Sequence, residues 1–369
     1  MSLPALPPMD VGARSERLRD RFGETGIDAL LVTRLPNVTY LTGFTGSSAM
    51  VLVGPDELVF LTDGRYAEQS ADQLAAAGVD ARIEVRMTQA AQREAMTTAA
   101  RGYRRLGLEA HGVTWAQLRE FDAEWFPEAE LVPTEHLVED LRRVKDSGEV
   151  ARIGAACAIG DEALAAVLPS LSDKTTEREL ALQLEFEMRT RGATRNSFDP
   201  IVASGPNGAK PHARPSGRVI EPGEPVVLDF GCVVDGYCSD MTRTVSVGDP
   251  GPDAWRVYDV VRAAQEAGRV AVRAGATCAD IDRACRAVIE AAGWGDAFVH
   301  GTGHGVGLEI HEAPRVAATA RDTLASGYVV TVEPGVYLPG VGGVRIEDTV
   351  VVTDDGADVL TTFPKEFLL

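Results

Sequence analysis

The stretch PVVLDFGCVVDGYCSDMTRTVSV, residues 225–247, decides how the second half of the chain folds. Two apolar, β-branched arms flank Asp235-Gly236, a dipeptide suited to the positive-φ positions of a tight hairpin turn. Each arm carries one carboxylate, Asp229 and Asp240. If the turn is Val234-Asp235 the two lie directly opposite; if it is Asp235-Gly236 they are diagonal neighbours. Both placements put them on one face of the sheet. Two anions that close need a cation or a shared proton. Asp229 also follows Val226-Val227-Leu228, so it belongs to a strand that wants burial, where an unpaired charge is costly.

Three more residues extend this pattern downstream. Glu333 ends the apolar run Val329–Val332, after which Pro334-Gly335 turns the chain. Glu347 stands inside the β-branched run Val344–Val350, where a metal ion, Arg345 or Arg243 could satisfy it. His300 and His304 are four apart, but the interleaved glycines 301, 303, 305 and 307 argue against a helix and for a loop or strand edge passing close to a ligand. His311 follows, so three of the six histidines fall within this short segment. Asp229, Asp240, His304, Glu333 and Glu347 thus form one candidate metal site. Four carboxylates and one imidazole are a hard, oxygen-rich set suited to a pair of divalent cations such as Mn²⁺, with Co²⁺ or Zn²⁺ as alternatives.

The 369 residues exceed a typical single core, so two domains are expected. Composition is that of a soluble globular chain, and a net charge of −19 with no basic patch argues against a nucleic-acid partner. Cys157, Cys232, Cys238, Cys278 and Cys285 are odd in number and lack CxxC spacing, which reads as free thiols in a reducing compartment. There is no apolar signal core at the N-terminus and no run of about 18 apolar residues, so the expectation is a cytoplasmic protein without a membrane partner.

Periodicity places strands at Ile27–Val32, Met50–Val53, Leu58–Thr62 and Leu106–Glu109, with helices at Tyr66–Ala76, Thr88–Arg101 and Trp115–Trp125. This alternation predicts an α/β first domain with a mixed or parallel sheet. A helix is expected from Ser147 as N-cap, and another over Thr176–Arg191 with Thr176 as N-cap. The boundary falls at 144/145. Beyond it, strands, then helices at about 253–273 and 278–292, then strands again, predict an α+β domain with an antiparallel sheet.

The strings SGPNGAKPHARPS, DFGCVVDGYCSDMTRT, GTGHGVGLEIHEAP and VEPGVYLPGVGGVRIED resemble, over nearly the whole chain, the metallopeptidases of the methionine aminopeptidase-like pita-bread fold. Within that fold they resemble the Xaa-Pro peptidases, aminopeptidase P and prolidase. The resemblance implies a creatinase-like N-terminal domain, residues 1–144, before a catalytic domain, residues 145–369. It implies that Asp229 binds one metal, that Asp240 and Glu347 bridge both, and that His304 and Glu333 complete the other. His212, His300 and His311 match histidines around the metals and substrate, Arg345 matches a position near the site, and Arg315 a position where some prolidases carry an arginine. Glu333 would be the proton acceptor and His311 the oxyanion donor, with His212 beside them among the catalytic residues. The implied substrate is a proline-containing peptide and the implied assembly a homodimer. Two relatives of other kinds, a metal-independent creatinase-like amidinohydrolase and a non-enzymatic binding module on the same fold, lose the metal ligands; all five are present here.

Overall fold

In the computed structural model, which describes residues 5–368, contacts divide the chain between Arg142 and Arg143. The residues just before Pro8 group with the C-terminal unit, where the Pro7 carbonyl accepts from Arg152 Nη1 at 2.9 Å. From Arg143 onward, side chains reach into that unit as well: Arg143 Nη1 meets Asp322 at 2.8 Å and Lys145 Nζ meets Glu312 at 3.2 Å.

The N-terminal unit, Pro8–Arg142, is built on a mixed six-stranded sheet. Its order is Arg82–Val85, Leu58–Thr62, Ala49–Val53, Ala29–Val32, Arg105–Glu109 and Glu130–Thr134. The central strands are fully or mostly buried, as continuous apolar runs should be. The first strand starts at Ala29 and not at Ile27, because Asp28 turns its carboxylate onto the backbone N–H groups of Arg104 and Arg105 at 2.7 and 3.0 Å. The two outermost strands escape the periodicity reading because they are short and half-exposed; one contains Pro133, which an edge position tolerates. The helix expected over Trp115–Trp125 is regular only to Glu120, then widens through Phe121–Trp125 to seat Phe121, Trp125 and Phe126 in the core.

The C-terminal unit is α+β, and every strand pairing in its sheets is antiparallel. One sheet joins Ile201–Ser204, Pro225–Phe230 and Met241–Ser246; a second joins Glu312–Val316, Gly303–Gly305, Val329–Val332, Asp348–Val352 and Ala357–Val359. A ribbon, Gly335–Leu338 with Gly342–Arg345, accompanies them. Helices Ser147–Val167 and Glu177–Thr190 pack on the first sheet through Ile159, Leu164, Leu180, Leu184 and Phe230. Helices Gly251–Ala271 and Cys278–Ala291 pack on the second through Val261, Ile281, Val330 and Val350.

The register of the hairpin settles the two turn alternatives. Val234 pairs with Tyr237 and Asp229 with Thr242, so the turn is Asp235-Gly236, with φ of 46° and 90°. Both central residues are left-handed, as the twist of a two-residue hairpin requires. Asp240 is therefore the diagonal neighbour of Asp229.

The N-cap of the long helix is Asp146, not Ser147. Its Oδ1 accepts from Glu149 N at 2.9 Å, while Glu149 Oε2 accepts from Asp146 N at 2.9 Å. This reciprocal box satisfies two N–H groups that the helix start leaves open, and Ser147 is simply the first helical residue. Thr176 caps the next helix in the same way, with Glu179. Replacing Asp146 by Ala is expected to destabilise the protein by about 1 kcal/mol, whereas Ser147→Ala should stay within about 0.5 kcal/mol. Urea unfolding of the two variants side by side measures the difference; equal losses would remove Asp146 as the cap.

Candidate metal centre

Asp240, Glu333 and Glu347 stand where a strand ends or breaks, while Asp229 and His304 lie within paired strands. Asp229 is next to last in Pro225–Phe230. Asp240 lies in the gap between Tyr237–Cys238 and Met241–Ser246. His304 is the middle of Gly303–Gly305. Glu333 follows Val329–Val332, and Glu347 sits between Gly342–Arg345 and Asp348–Val352. Threonines cross-link these pieces. Thr242 Oγ1 donates to Glu347 Oε2 at 2.8 Å, Thr349 Oγ1 donates to the Asp240 carbonyl at 2.8 Å, and Thr331 Oγ1 accepts from His304 N at 3.1 Å.

One ligand atom each from Asp240, His304 and Glu347 lies within 4.8 Å of the others. His304 Nε2 is 3.5 Å from Asp240 Oδ2 and 3.5 Å from Glu333 Oε1. Asp229 stands at the edge of this group, with Oδ2 accepting from Arg345 Nη2 at 2.5 Å. It is still close enough that its charge raises the proton affinity of Asp240, Glu333 and Glu347.

Burial is the largest cause of the shifts. It pushes Asp240 and Glu347 well above the carboxylate range, and neighbouring carboxylates push further. Burial takes Glu333 up to about 8, with Asp229 adding to the rise and Arg345 opposing it. It takes His304 down to about 4, partly offset by the ring's bond to the Gly305 carbonyl. That carbonyl can only accept, so His304 Nδ1 carries the hydrogen, at 3.0 Å, and Nε2 faces the carboxylates as a free lone pair.

Two oxygens of the cluster, Asp229 Oδ1 and Glu347 Oε1, are buried without a hydrogen-bond partner. Buried polar atoms are ordinarily satisfied, so each points to a missing positive partner. The two arginines that could have competed for Glu347 are committed elsewhere. Arg345 serves Asp229 and the Tyr337 hydroxyl, and Arg243 serves Asp348 and the main-chain oxygen of Glu347. Four carboxylates, a neutral imidazole and two orphaned oxygens fit a pair of divalent cations.

The surrounding residues divide into a buried and an exposed set. His300 Nδ1 donates to the Gly301 carbonyl at 2.7 Å, leaving Nε2 2.8 Å from the Tyr337 hydroxyl, to which Arg345 Nη1 donates at 2.7 Å. Burial lowers His300 to about 4, so it too is a neutral ring. The His311 ring is 4.3 Å from the His304 ring and is exposed on its outer side. His212 is exposed on its loop, yet near enough to His300 and His311 to disfavour their protonation. Arg315 lies opposite His304 across the strand pair and is exposed. Tyr337, Thr242 and Thr331 escaped the sequence reading. All three stand within or beside the motif strings, but an uncharged hydroxyl gives no signal until its partner is known.

Comparison with known proteins identifies the family. The model of metallopeptidase family M24 matches residues 151–354, and that of the creatinase/prolidase N-terminal domain matches residues 14–144. The chain is 42% identical to the "Uncharacterized peptidase YqhT" of Bacillus subtilis (strain 168) over 354 residues, covering 96% of this chain and 99% of that relative. It superposes on the Xaa-Pro dipeptidase from Bacillus anthracis with a TM-score of 0.92 at 40% identity, covering 97% and 100% of the two chains. For the X-Pro aminopeptidase from Thermotoga maritima MSB8 the TM-score is 0.87 at 34% identity, covering 96% and 100%. With a creatinase/prolidase-type N-terminal domain ahead of a catalytic unit whose carboxylates and histidine converge on one centre, this chain belongs to metallopeptidase family M24.

Proposed function

We propose that the chain is a dinuclear metal-dependent exopeptidase that hydrolyses the Xaa-Pro bond, at the N-terminus of peptides or in dipeptides. The observation that carries the reading is the grouping of Asp240, His304 and Glu347, with Glu333 3.5 Å from His304, Asp229 at the edge, and two buried oxygens left unpartnered. These five residues would hold two divalent ions, Mn²⁺ by preference, which would supply Lewis acidity and make a nucleophilic water available near neutral pH. The homodimer carries over from the resemblance alone, and the cytoplasmic location from the sequence reading alone. Among the described residues no helix is long and apolar enough to cross a membrane.

The side chains supply the rest of the chemistry. Glu333 is the most accessible ligand of the central group, at 19% side-chain exposure against 7% for Asp240, so it can take a proton from water and return it to the leaving nitrogen. His311, packed on His304 and exposed on its outer side, would donate to the developing oxyanion. His212 and His300, near enough for the charge of one to disfavour protonation of the other, would wall the proline ring. The bond before proline has no N–H, so the site needs no acceptor there. Arg345 holds Asp229 and Tyr337 in place by two short hydrogen bonds.

The raised carboxylates fix a sign. A group whose folded pKa lies above its unfolded value stabilises the fold below the unfolded value and loses that contribution as pH rises through the folded one. Metal-free protein should therefore lose stability as pH rises from about 4.5 toward about 8, the interval set by Glu333. Metal binding must displace the protons the cluster holds, so affinity should rise with pH. Mn²⁺ is expected to raise Tm more at about pH 8 than at about pH 6. Calorimetric titration near pH 7 in two buffers of different ionisation enthalpy should report proton release. A pH-independent affinity would show that the cluster is not where the metal binds.

Glu333→Gln keeps an oxygen donor but cannot accept the proton, so turnover should fall at least a hundredfold, the lower end for general-base work, with metal content unchanged. Retention of most of kcat with metal bound would assign the base elsewhere.

Substrate length and proline dependence are separated by kcat/KM on Ala-Pro-Ala, Ala-Ala-Ala and Ala-Pro. A buried N–H without a partner costs about 1–3 kcal/mol, so Ala-Ala-Ala should be slower by roughly five- to 150-fold. Equal rates on the two tripeptides would indicate a general aminopeptidase. If Ala-Pro is the preferred substrate, Arg315→Ala should raise its KM more than that of Ala-Pro-Ala, because only the dipeptide places its carboxylate within reach of a cation there.

A further inference from the structure

We propose that Glu177 is a positioning residue for substrate binding: its buried carboxylate ties the two stems of the loop Ser204–Ser216 together and so sets His212, which that loop carries. The inference rests on the reading of His212 as a substrate-side residue.

Glu177 is the first residue of the helix Glu177–Thr190 and is fully buried, at 0% exposure. Its Oε1 accepts from Ser204 N at 2.8 Å and Ser204 Oγ at 2.9 Å, on the incoming stem. Its Oε2 accepts from Ser216 N at 3.1 Å and Ser216 Oγ at 2.6 Å, on the outgoing stem. Asn207 Nδ2 donates to both oxygens at 3.1 Å. Burial alone would raise this carboxyl, but the bonds from Ser204, Ser216 and Asn207 outweigh it and hold the group below its usual value, as a buried anion.

The helix does not need this charge. Thr176 and Glu179 already form its capping box, with Thr176 Oγ1 accepting from Glu179 N at 3.2 Å and Glu179 Oε2 accepting from Thr176 N at 2.9 Å. Every side-chain donor to Glu177 comes from the loop. An apolar residue would pack at this position without the cost of burying an ion, so the carboxylate is there for what it binds, through charge-assisted bonds that are the strong ones.

Beyond the stems, the loop is gripped from the metal side. Arg345 Nη1 donates to the Pro211 carbonyl at 3.3 Å, one residue before His212. Gly208 lies so close to the ribbon that a Cβ on Gly343 would fall 2.0 Å from its carbonyl oxygen. His212 is thus carried between two fixed points, the Glu177 clamp at the base and Arg345 beside it. Arg345 also holds the ligand Asp229, which places His212 in register with the metal centre.

The test uses the full chain loaded with Mn²⁺. Glu177→Gln keeps the shape but turns one oxygen into an N–H₂ facing N–H and O–H donors. Its KM for Ala-Pro-Ala should rise roughly tenfold, a loss of the size expected for hydrogen bonds to a charged group, with kcat and metal content near those of the parent. In a double-mutant cycle with His212→Ala the two losses should be markedly less than additive, since both act through one residue. Hydrogen exchange should show faster exchange of residues 204–216 and unchanged protection of 225–246. Additive losses, or an unaltered KM alongside a lowered Tm, would reduce Glu177 to a fold-stabilising residue and overturn the proposal. If Glu177→Gln fails to fold, Ser216→Ala removes only the hydroxyl from the outgoing stem and should shift KM in the same direction; an unchanged KM there would count equally against the clamp. Exchange reads the loop without turnover, so a parent protein inert on Xaa-Pro peptides would refute the peptidase reading while leaving the clamp itself decided.

Discussion

Four carboxylates gathered in a volume with one guanidinium are the constraint around which the catalytic unit is built. Asp229, Asp240, Glu333 and Glu347 would together carry four negative charges, and Arg345 answers only one of them, through Asp229. Like charges at these separations in a poorly solvated site repel by several kcal/mol each at an effective dielectric near 20. Protons or cations would relieve the excess. The strongly raised proton affinities of Asp240 and Glu347 and the two orphaned oxygens express the same deficit.

Holding such a cluster together takes rigidity from behind. The strands that bring the ligands are backed by a second ionic layer. Arg243 and Asp348 pair at 3.0 Å, both almost fully buried, and Gln265 Nε2 donates to Asp348 at 2.9 Å. Lys365 reaches the same carboxylate, and Arg243 also donates to the Phe363 carbonyl. The tail of the chain is thereby pinned against the ligand strands, with Phe367 stacked on Tyr258 at 4.3 Å. Removing one partner of a buried pair leaves an uncompensated charge, so this layer resists the small shifts that would spread the ligands. The arrangement explains why neither arginine neutralises Glu347: Arg345 is taken up by Asp229 and the Tyr337 hydroxyl, and Arg243 by Asp348 and main-chain oxygens.

How far the sequence exposed this arrangement follows from what kind of signal each part leaves. The ligands were legible because a carboxylate in or after an apolar strand contradicts its surroundings, as at Asp229, Glu333 and Glu347, while Asp240 was marked by its place opposite Asp229 on the hairpin and His304 by the glycines around it. The hairpin narrowed to two registers because Asp235-Gly236 is a local turn signal; the choice between them needed the pairing of Val234 with Tyr237. Partner choice was not legible. Arg345 could have gone to Glu347, and only the folded sheet shows that Asp229 takes it. Asp146 and Ser147 are both sound N-caps on composition, and Glu149 selects Asp146 by reaching back. Short, half-exposed edge strands such as Arg82–Val85 leave almost no periodic trace.

The neutral state of the two inner histidines joins these threads. A protonated His304 would relieve the charge excess, yet burial holds it near 4 and its Nδ1 hydrogen is spent on Gly305, so at neutral pH it contributes a lone pair to the centre and no charge. His300 is neutral for the same reason, with its own Nδ1 hydrogen on Gly301. Its Nε2 must then accept, so the Tyr337 hydroxyl donates to it and in turn accepts from Arg345. The hydroxyl is kept protonated for that task, since burial lifts Tyr337 to about 12. A directed chain therefore runs from Asp229 through Arg345 and Tyr337 to His300, with every donor and acceptor fixed by the one before it. The hydrogen bonds that orient a metal ligand are the same ones that orient the wall of the substrate space, so neither side of the site can shift without the other.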